Sequence, residues 1–236
     1  MVGSKLAQAL SAEALGTGFL LAAVVGSGVM AGRLSGGNEA LALLGNTLPT
    51  GAILIVLITM LAPFSGAHFN PAVTLVFALK RDLAPGVAAG YVLAQIAGAF
   101  VGVLAAHAMF DLPLLQMSAK VRAGSAFAFS EWVAAFGLML TILLTLRARP
   151  EAVATSVGLY IVAAYWFTAS TSFANPAVTL ARAFSDTFAG IRLVDVPLFV
   201  FAQCAGVICA LAVAVFLSQS EPQPAEQPLQ SSESRP

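Results

Sequence analysis

Two stretches of the chain without a charged residue are too long to cross a bilayer once as straight helices. Residues 40–79 and residues 152–181 contain no Asp, Glu, Lys or Arg. At a rise of about 1.5 Å per residue they would form helices of about 60 Å and about 45 Å, whereas the hydrocarbon core of a bilayer is about 30 Å thick. Each stretch is therefore predicted to break inside the membrane, where irregular backbone is tolerated only if it is buried in protein or lines a water-filled cavity.

The composition of the chain supports a lipid environment. Hydrophobic residues make up 59% and charged residues 9% of the 236 residues, and the mean hydropathy is +0.90. Together with the two long stretches, four further charge-free runs predict six membrane spans; they are residues 14–32, 83–110, 132–146 and 196–220. The formal net charge is zero, so we expect the lipid bilayer as a partner and no nucleic acid.

Both long stretches contain the same signal for the start of a short helix. Asn70-Pro71 and Asn175-Pro176 place a favoured N-cap residue directly before a favoured first helical residue. The segments around them, Phe-Asn-Pro-Ala-Val-Thr-Leu and Ala-Asn-Pro-Ala-Val-Thr-Leu, agree at six of seven positions. Each stretch is therefore predicted to form one span followed by a re-entrant half-helix.

The similarity between the two halves extends beyond these motifs. Glu13 and Glu131 open the first span of each half, and each half has the order span, span, half-helix, span. Three full spans per half is an odd number, so the second half must be inverted relative to the first. We expect an all-α membrane protein with repeat one at about residues 8–108, repeat two at about 128–217, and a disordered C-terminal tail at 218–236.

Small residues four apart predict close contacts between spans. Such pairs are Gly28 with Gly32, Gly98 with Gly102, and Gly206 with Ala210. Cys204 and Cys209 lie in one apolar run without metal-ligand spacing, and we interpret both as packing or lipid-facing residues. No metal, cofactor or catalytic residue is expected, and the chain is not predicted to be an enzyme.

In an inverted repeat the two half-helices enter from opposite faces and their N-termini meet near the midplane. Each N-terminus carries about half a positive charge, which opposes the passage of cations. The carboxamides of Asn70 and Asn175 would donate hydrogen bonds to a passing molecule, and the carbonyls of residues 65–68 and 170–173 would accept them. This arrangement favours a narrow conduit for neutral, hydrogen-bonding solutes.

The segment Ser65-Gly-Ala-His-Phe-Asn-Pro-Ala-Val-Thr and the second Asn-Pro-Ala resemble the two signature loops of the aquaporin and aquaglyceroporin family, the major intrinsic proteins. The resemblance covers about residues 8–217. It implies a homotetramer with one pore in each subunit, in the cell membrane and with both termini in the cytoplasm. With this orientation six basic residues lie inside and five outside, so the charge distribution does not determine the topology.

The family also implies a constriction outside the asparagine pair, at four positions that correspond here to Thr50, Ala163, Ser172 and Val178. The family ordinarily has an arginine at the position of Val178, so this filter is predicted to be wider, less polar and without a fixed charge. We expect it to pass water, glycerol-like polyols and undissociated metalloid acids. Arginine-lacking filters also occur in similar bacterial aquaglyceroporins associated with arsenic resistance, which suggests arsenite or methylated arsenicals as substrates.

Four other side chains need an interpretation. We interpret Arg182 as an interfacial, snorkelling residue, with a side chain directed toward the pore mouth as the alternative. His68 is predicted to line the pore, with a buried loop histidine as the alternative. Glu13 and Glu131 are predicted to accept hydrogen bonds from the backbone of the re-entrant loops, with a proton relay as the alternative.

Two other classes of protein remain open at this stage. Secondary transporters also combine inverted repeats with broken helices, but a coupled transporter needs titrating groups at its substrate site, which the predicted pore lacks. A closed, structural or strictly water-selective member of the same family would have the same motifs.

Overall fold

Eight α-helices form the described part of the chain, residues 2–219 of a computed structural model. They are α1 (Val2–Leu34), α2 (Glu39–Ser65), α3 (Pro71–Leu79), α4 (Pro85–Met109), α5 (Ser125–Ala148), α6 (Val153–Phe167), α7 (Pro176–Arg182) and α8 (Val196–Ser218). Single turns of 3₁₀ helix precede α6 and α8, at Pro150–Ala152 and Leu193–Asp195. Of the predicted tail, Ser218 is the last residue of α8, and residues 220–236 lie outside the described residues.

Six of the helices are long and two are short, as predicted. Within residues 2–219, the helices α1, α2, α4, α5 and α8 are long and apolar enough to cross a membrane. Helix α6 has 15 residues and continues from the preceding 3₁₀ turn. Helices α3 and α7 have 9 and 7 residues, so neither spans a bilayer. The predicted architecture of six spans and two half-helices is confirmed.

The breaks in the two long stretches lie where the turn-forming residues predicted them. Helix α2 ends at Gly66, whose φ of 82° is a left-handed conformation that glycine adopts without strain. Asn70 then caps α3 by accepting a hydrogen bond from the amide of Ala72. Asn175 caps α7 in the same way, from the amides of Ala177 and Val178.

Helix packing brings the two half-helices together. Helix α1 packs against α2 and α4, α5 packs against α6 and α8, and α2 packs against α6 across the two halves. Both α3 and α7 contact α4 and α8, and they also contact each other. The half-helices therefore occupy the centre of the bundle, surrounded by the longer helices.

Close helix contacts occur at two of the three predicted pairs of small residues. A Cβ atom on Gly98 would lie 2.1 Å from the carbonyl oxygen of Ala14, and one on Gly102 would lie 2.1 Å from that of Gly18. A Cβ atom on Gly206 would lie 2.5 Å from the carbonyl oxygen of Trp132, next to the buried Ala210. Gly28 and Gly32 differ from the prediction, because the nearest neighbours of a Cβ atom at these positions are Ala189 and Phe188 of the loop after α7, and a Cβ atom on Gly28 would also lie 3.6 Å from the Asn46 side chain of α2.

Candidate functional site

The two capping asparagines hold the re-entrant loops together at the centre of the bundle. The Asn70 amide Nδ2 donates to the carbonyl of Ala174 at 2.8 Å, and the Asn175 Nδ2 donates to the carbonyl of Phe69 at 2.8 Å. An amide nitrogen has two donors, so each asparagine keeps one for another partner. Both side chains are 5% exposed and line the same cavity.

Each re-entrant loop is held from behind by a buried carboxylate, as predicted for Glu13 and Glu131. Glu13 accepts hydrogen bonds from the amides of His68 and Phe69 at 2.9 and 2.7 Å, and from the Ser65 hydroxyl at 2.6 Å. Glu131 accepts from the amides of two consecutive residues of the second loop, Phe173 and Ala174, at 2.9 and 2.8 Å. Both acids are fully buried and neither lines the cavity, so the geometry favours the structural interpretation over a proton relay.

A glutamine from the last span of each half completes these networks, and sequence reasoning did not find it. Gln95 donates to Glu13 at 2.7 Å, and Gln203 donates to Glu131 at 2.6 Å. The same Nε2 atoms lie 2.9 and 2.8 Å from the hydroxyls of the repeat-related Thr74 and Thr179. The sequence contains a signal for both glutamines, because the pattern Ala-Gln-x-Ala-Gly surrounds one glutamine in the last span of each half.

The two loops have backbone conformations that few residues adopt. Ala67 and Phe69 of the first loop, and Thr171, Ser172 and Ala174 of the second, have φ between 46° and 62°. Left-handed conformations of residues other than glycine cost of the order of 1–3 kcal/mol each and concentrate at functional sites. The hydrogen bonds from the loop amides to the buried carboxylates offset this cost.

Two loop carbonyls that were predicted to be free accept hydrogen bonds from within the protein. The carbonyl of Ser65 accepts a hydrogen bond from the Tyr91 hydroxyl at 2.9 Å, and that of Ser170 accepts from Arg122 Nη1 at 2.9 Å. Both were predicted to face passing molecules and are instead occupied. Of the residues in the predicted acceptor rows, Gly66, Ala67, His68, Ser172 and Phe173 line the cavity.

One elongated cavity runs past both asparagines, between a His68 end and an Arg182 end. Apolar side chains of α2, α5 and α6 line much of its wall. His68 lines the cavity, with its ring Nδ1 3.1 Å from the Thr74 hydroxyl and its ring 4.6 Å from that of Phe77. Most of the polar lining lies at the asparagines and toward the Arg182 end; it includes Thr50, Asn70, Tyr165, Ser172, Asn175 and Arg182.

Three of the four predicted filter positions line this cavity and one does not. Thr50, Ser172 and Val178 are each 5% exposed or less and lie in its wall. Ala163 is exposed on the outer side of α6, so its assignment to the filter is wrong. Helix α6 presents Tyr165 instead, with its hydroxyl 3.4 Å from the Thr50 hydroxyl. The error is one of helical phase, because residues two apart on a helix point about 200° apart.

The structure also corrects the interpretation of Arg182. It is 1% exposed and lines the cavity, so the interfacial, snorkelling interpretation is wrong. Its guanidinium carbon lies 3.3 Å from the centre of the Phe173 ring, and its Nε donates to the carbonyl of Ala189 in the loop after α7. Val178 and Arg182 are one turn apart on α7 and share a face of the helix.

Two further cations lie near Arg182. The guanidinium carbon of Arg122 lies 4.8 Å from the centre of the same Phe173 ring, while its Nε donates to the carbonyl of Gly190 at 2.9 Å. In the loop before α5, burial and the charges of Arg122 and Arg182 lower the pKa of Lys120 to about 8. The Arg182 end of the cavity is therefore electropositive.

The remaining sequence interpretations concern cysteine and metal chemistry. Cys204 is half-buried and Cys209 exposed on α8, and neither forms a disulfide. Within residues 2–219 no group of His, Cys, Asp or Glu side chains has a geometry that would hold a metal ion.

Comparison with known proteins agrees with the geometry. The model of the major intrinsic protein family matches residues 1–169 and 146–233. The chain is 62% identical over 208 residues to aquaglyceroporin AqpS of Rhizobium meliloti (strain 1021), covering 88% of this chain and 89% of the relative. It is 34% identical over 149 residues to nodulin-26 of Glycine max, covering 60% and 52% of the two chains.

A solved structure supports the same fold. The X-ray structure of the aquaglyceroporin from Plasmodium falciparum aligns with a TM-score of 0.66 at 21% identity, covering 91% of this chain and 96% of that chain. Twin asparagine-capped half-helices, an inverted six-span bundle and a family match over nearly the whole length lead to one conclusion. The chain is a multi-pass membrane protein that belongs to the major intrinsic protein family, a family of channels.

Proposed function

We propose that this protein is a passive channel for water and small uncharged solutes, including glycerol-like polyols and undissociated metalloid acids such as arsenite or methylated arsenicals. The observation that carries the proposal is Val178, a small apolar side chain in the cavity wall at the position where the family ordinarily has an arginine. We also infer a homotetramer with one pore per subunit, in the cell membrane and with both termini cytoplasmic, from the family resemblance.

The lining supports neutral rather than charged cargo. The free amide donors of Asn70 and Asn175 lie where the N-termini of α3 and α7 meet, and both helix ends are positive there. No carboxylate side chain is found among the residues that line the cavity. A desolvated cation would therefore meet positive potential without a compensating charge, whereas a hydroxyl group finds donors and acceptors.

Polyols and undissociated arsenite share the chemistry that this lining would recognise. Both are small, uncharged and rich in hydroxyl groups, which exchange their water hydrogen bonds for bonds to amides and carbonyls of the pore. The name of the relative from Rhizobium meliloti, aquaglyceroporin, agrees with a polyol channel.

The proposal is tested by reconstituting the protein into vesicles and following their volume by light scattering. Gradients of water, glycerol and neutral arsenite are applied with and without a pH gradient. We expect all three to permeate faster than in empty vesicles, with no effect of the pH gradient. Flux that required a pH gradient would indicate a coupled transporter, and absence of flux would indicate a closed, structural protein.

Replacing Val178 with arginine is expected to lower glycerol and arsenite permeability by about tenfold or more while water permeability changes less. The guanidinium would add volume and charge at a position where Val178 and its cavity neighbours Thr50 and Ser172 are small, and larger solutes need the width more than water does. The rates are measured by the same light-scattering assay. Val178→Thr is the matched control, because it keeps the volume, and it should conduct like the parent. If Val178→Arg passes glycerol as fast as the parent, Val178 does not set the width.

A further inference from the structure

We propose that Arg182 is a specificity-determining residue of this pore and supplies the fixed positive charge that residue 178 lacks. The inference rests on the proposed channel function and concerns its selectivity against cations and protons. The helix that carries Val178 also carries Arg182 one turn further on, and both side chains line the cavity. The charge of the filter is thus displaced along the pore.

The guanidinium of Arg182 is unusually buried. Arg182 is the largest fully buried side chain of the described residues, and its Nη1 atom has no hydrogen-bond partner among them. A buried donor without a partner is costly, and a charged one more so. The position of Arg182 in the cavity wall offers a role for this free donor, which is to bind passing water or the hydroxyl group of a solute.

The positive charge of Arg182 has no neighbouring anion among the described residues. Within residues 2–219 no carboxylate lies within salt-bridge distance of Arg182, and Glu131 acts on it only through its longer-range field. Its contacts include the face of the Phe173 ring, the carbonyl of Ala189 and the uncharged Tyr165 side chain. These contacts fix the position of the guanidinium but leave its charge unneutralised, so its field extends into the lumen.

Arg182 differs from its neighbour Arg122. The Arg122 guanidinium also lies against the Phe173 ring, but Arg122 does not line the cavity, and it donates to the carbonyls of Ser170 and Gly190. Arg122 therefore holds the second loop in place. Arg182, with a free donor in the cavity wall, is the arginine that a permeating species meets.

For transport, this arrangement gives a filter with two successive parts, which we call tiers. Small side chains at Thr50, Ser172 and Val178 provide width, and the guanidinium one turn away provides a charge barrier and a hydrogen-bond donor. Neutral polyols and metalloid acids would pass both tiers, while cations would be repelled by Arg182 in addition to the two helix N-termini. A wide filter therefore does not imply a leak of protons.

The test compares Arg182→Met with the parent in vesicles that report cation and proton leakage, together with water and glycerol flux. We expect Arg182→Met to raise the leak of protons or sodium by about tenfold or more and to keep water flux. Arg182→Lys should retain the exclusion of cations. Arg33→Met is the matched control, because Arg33 is an exposed arginine outside the cavity, and it should behave like the parent.

A rescue variant separates a local charge effect from a change in folding. Arg182→Met combined with Val178→Arg returns one guanidinium to the pore, and we expect it to restore cation exclusion. If Arg182→Met fails to fold, Arg182→Gln is measured instead, and a leak in that variant supports the inference. A neutral variant that conducts water and excludes cations as well as the parent would overturn it. Absence of solute flux in the parent would contradict the proposed function instead.

Discussion

Replacement of Glu131 by alanine is expected to prevent the channel from folding stably. The substitution would leave the amides of Phe173 and Ala174 and the side-chain nitrogen of Gln203 without their acceptor. Each buried donor without a partner costs about 1–3 kcal/mol, so three cost about 3–9 kcal/mol, a large part of the total stability of a typical domain. Thermal unfolding of the purified protein in detergent, followed by size-exclusion chromatography, measures the loss.

The expected result is specific to the buried acid. Glu151→Ala is the control, because Glu151 is exposed in the turn before α6, and it should unfold close to the parent temperature. Glu13→Ala should behave like Glu131→Ala, since Glu13 has the equivalent place in the first repeat. A folded Glu131→Ala protein with normal water permeability would show that the carboxylate is not needed to hold the second loop.

Gly98→Val should disrupt the contact between α1 and α4. Even the Cβ atom alone would lie 2.1 Å from the carbonyl oxygen of Ala14, which is a backbone atom and has no rotamer by which to move away. The two helices would have to separate, and overpacking of this kind costs about 3 kcal/mol or more once the branched side chain is added. We expect little folded protein in the membrane fraction and a lower unfolding temperature for what is recovered.

A glycine near the start of the same helix provides the control. A Cβ atom on Gly86 would have no neighbour within 4 Å, so Gly86→Ala should be neutral or stabilise the helix by up to about 1 kcal/mol through its higher helix propensity. Gly98→Ala should lie between this control and Gly98→Val. Equal stability of the Gly86 and Gly98 alanine variants would contradict the close helix contact.

The inverted symmetry of the two loops extends further than their motifs. In both repeats a glutamate, a glutamine and a threonine form one hydrogen-bonded network behind the loop; these are Glu13, Gln95 and Thr74, and Glu131, Gln203 and Thr179. The first half adds Ser65, whose hydroxyl also donates to its glutamate. The networks pair the loop amides, both carboxylates and the glutamine Nε2 atoms, while the Oε1 atoms of Gln95 and Gln203 have no partner among residues 2–219. This pairing makes buried polar residues compatible with a membrane interior.

Local sequence patterns were sufficient wherever a feature depends on neighbours in the chain. The breaks in the long apolar stretches and the capping roles of Asn70 and Asn175 agree with the structure. These features follow from helix length in a bilayer and from the preference of Asn-Pro for a helix start. The glutamines were missed because the glutamates to which they donate are more than seventy residues away in the chain.

The composition of the pore wall depended on contacts between helices that the chain pattern does not determine. Ala163 was placed in the filter by its spacing from the motif, but the rotation of α6 against α2 turns Tyr165 inward and leaves Ala163 outside. Arg182 was expected at a water interface because it lies four residues beyond Val178 on the half-helix. Its guanidinium instead lies against Phe173, where its Nε donates a hydrogen bond to the carbonyl of Ala189 in the loop after α7.

The sequence by itself therefore determined the family, the inverted repeat, the two capped half-helices and the absence of an arginine at residue 178. Each of these is a property of residue types and their spacing. Only the tertiary structure decided which side chains form the wall beyond the asparagines, because the rotation of a helix and the path of a long side chain depend on distant packing partners. It placed Tyr165 and Arg182 in the cavity wall and paired the carbonyls of Ser65 and Ser170 with Tyr91 and Arg122.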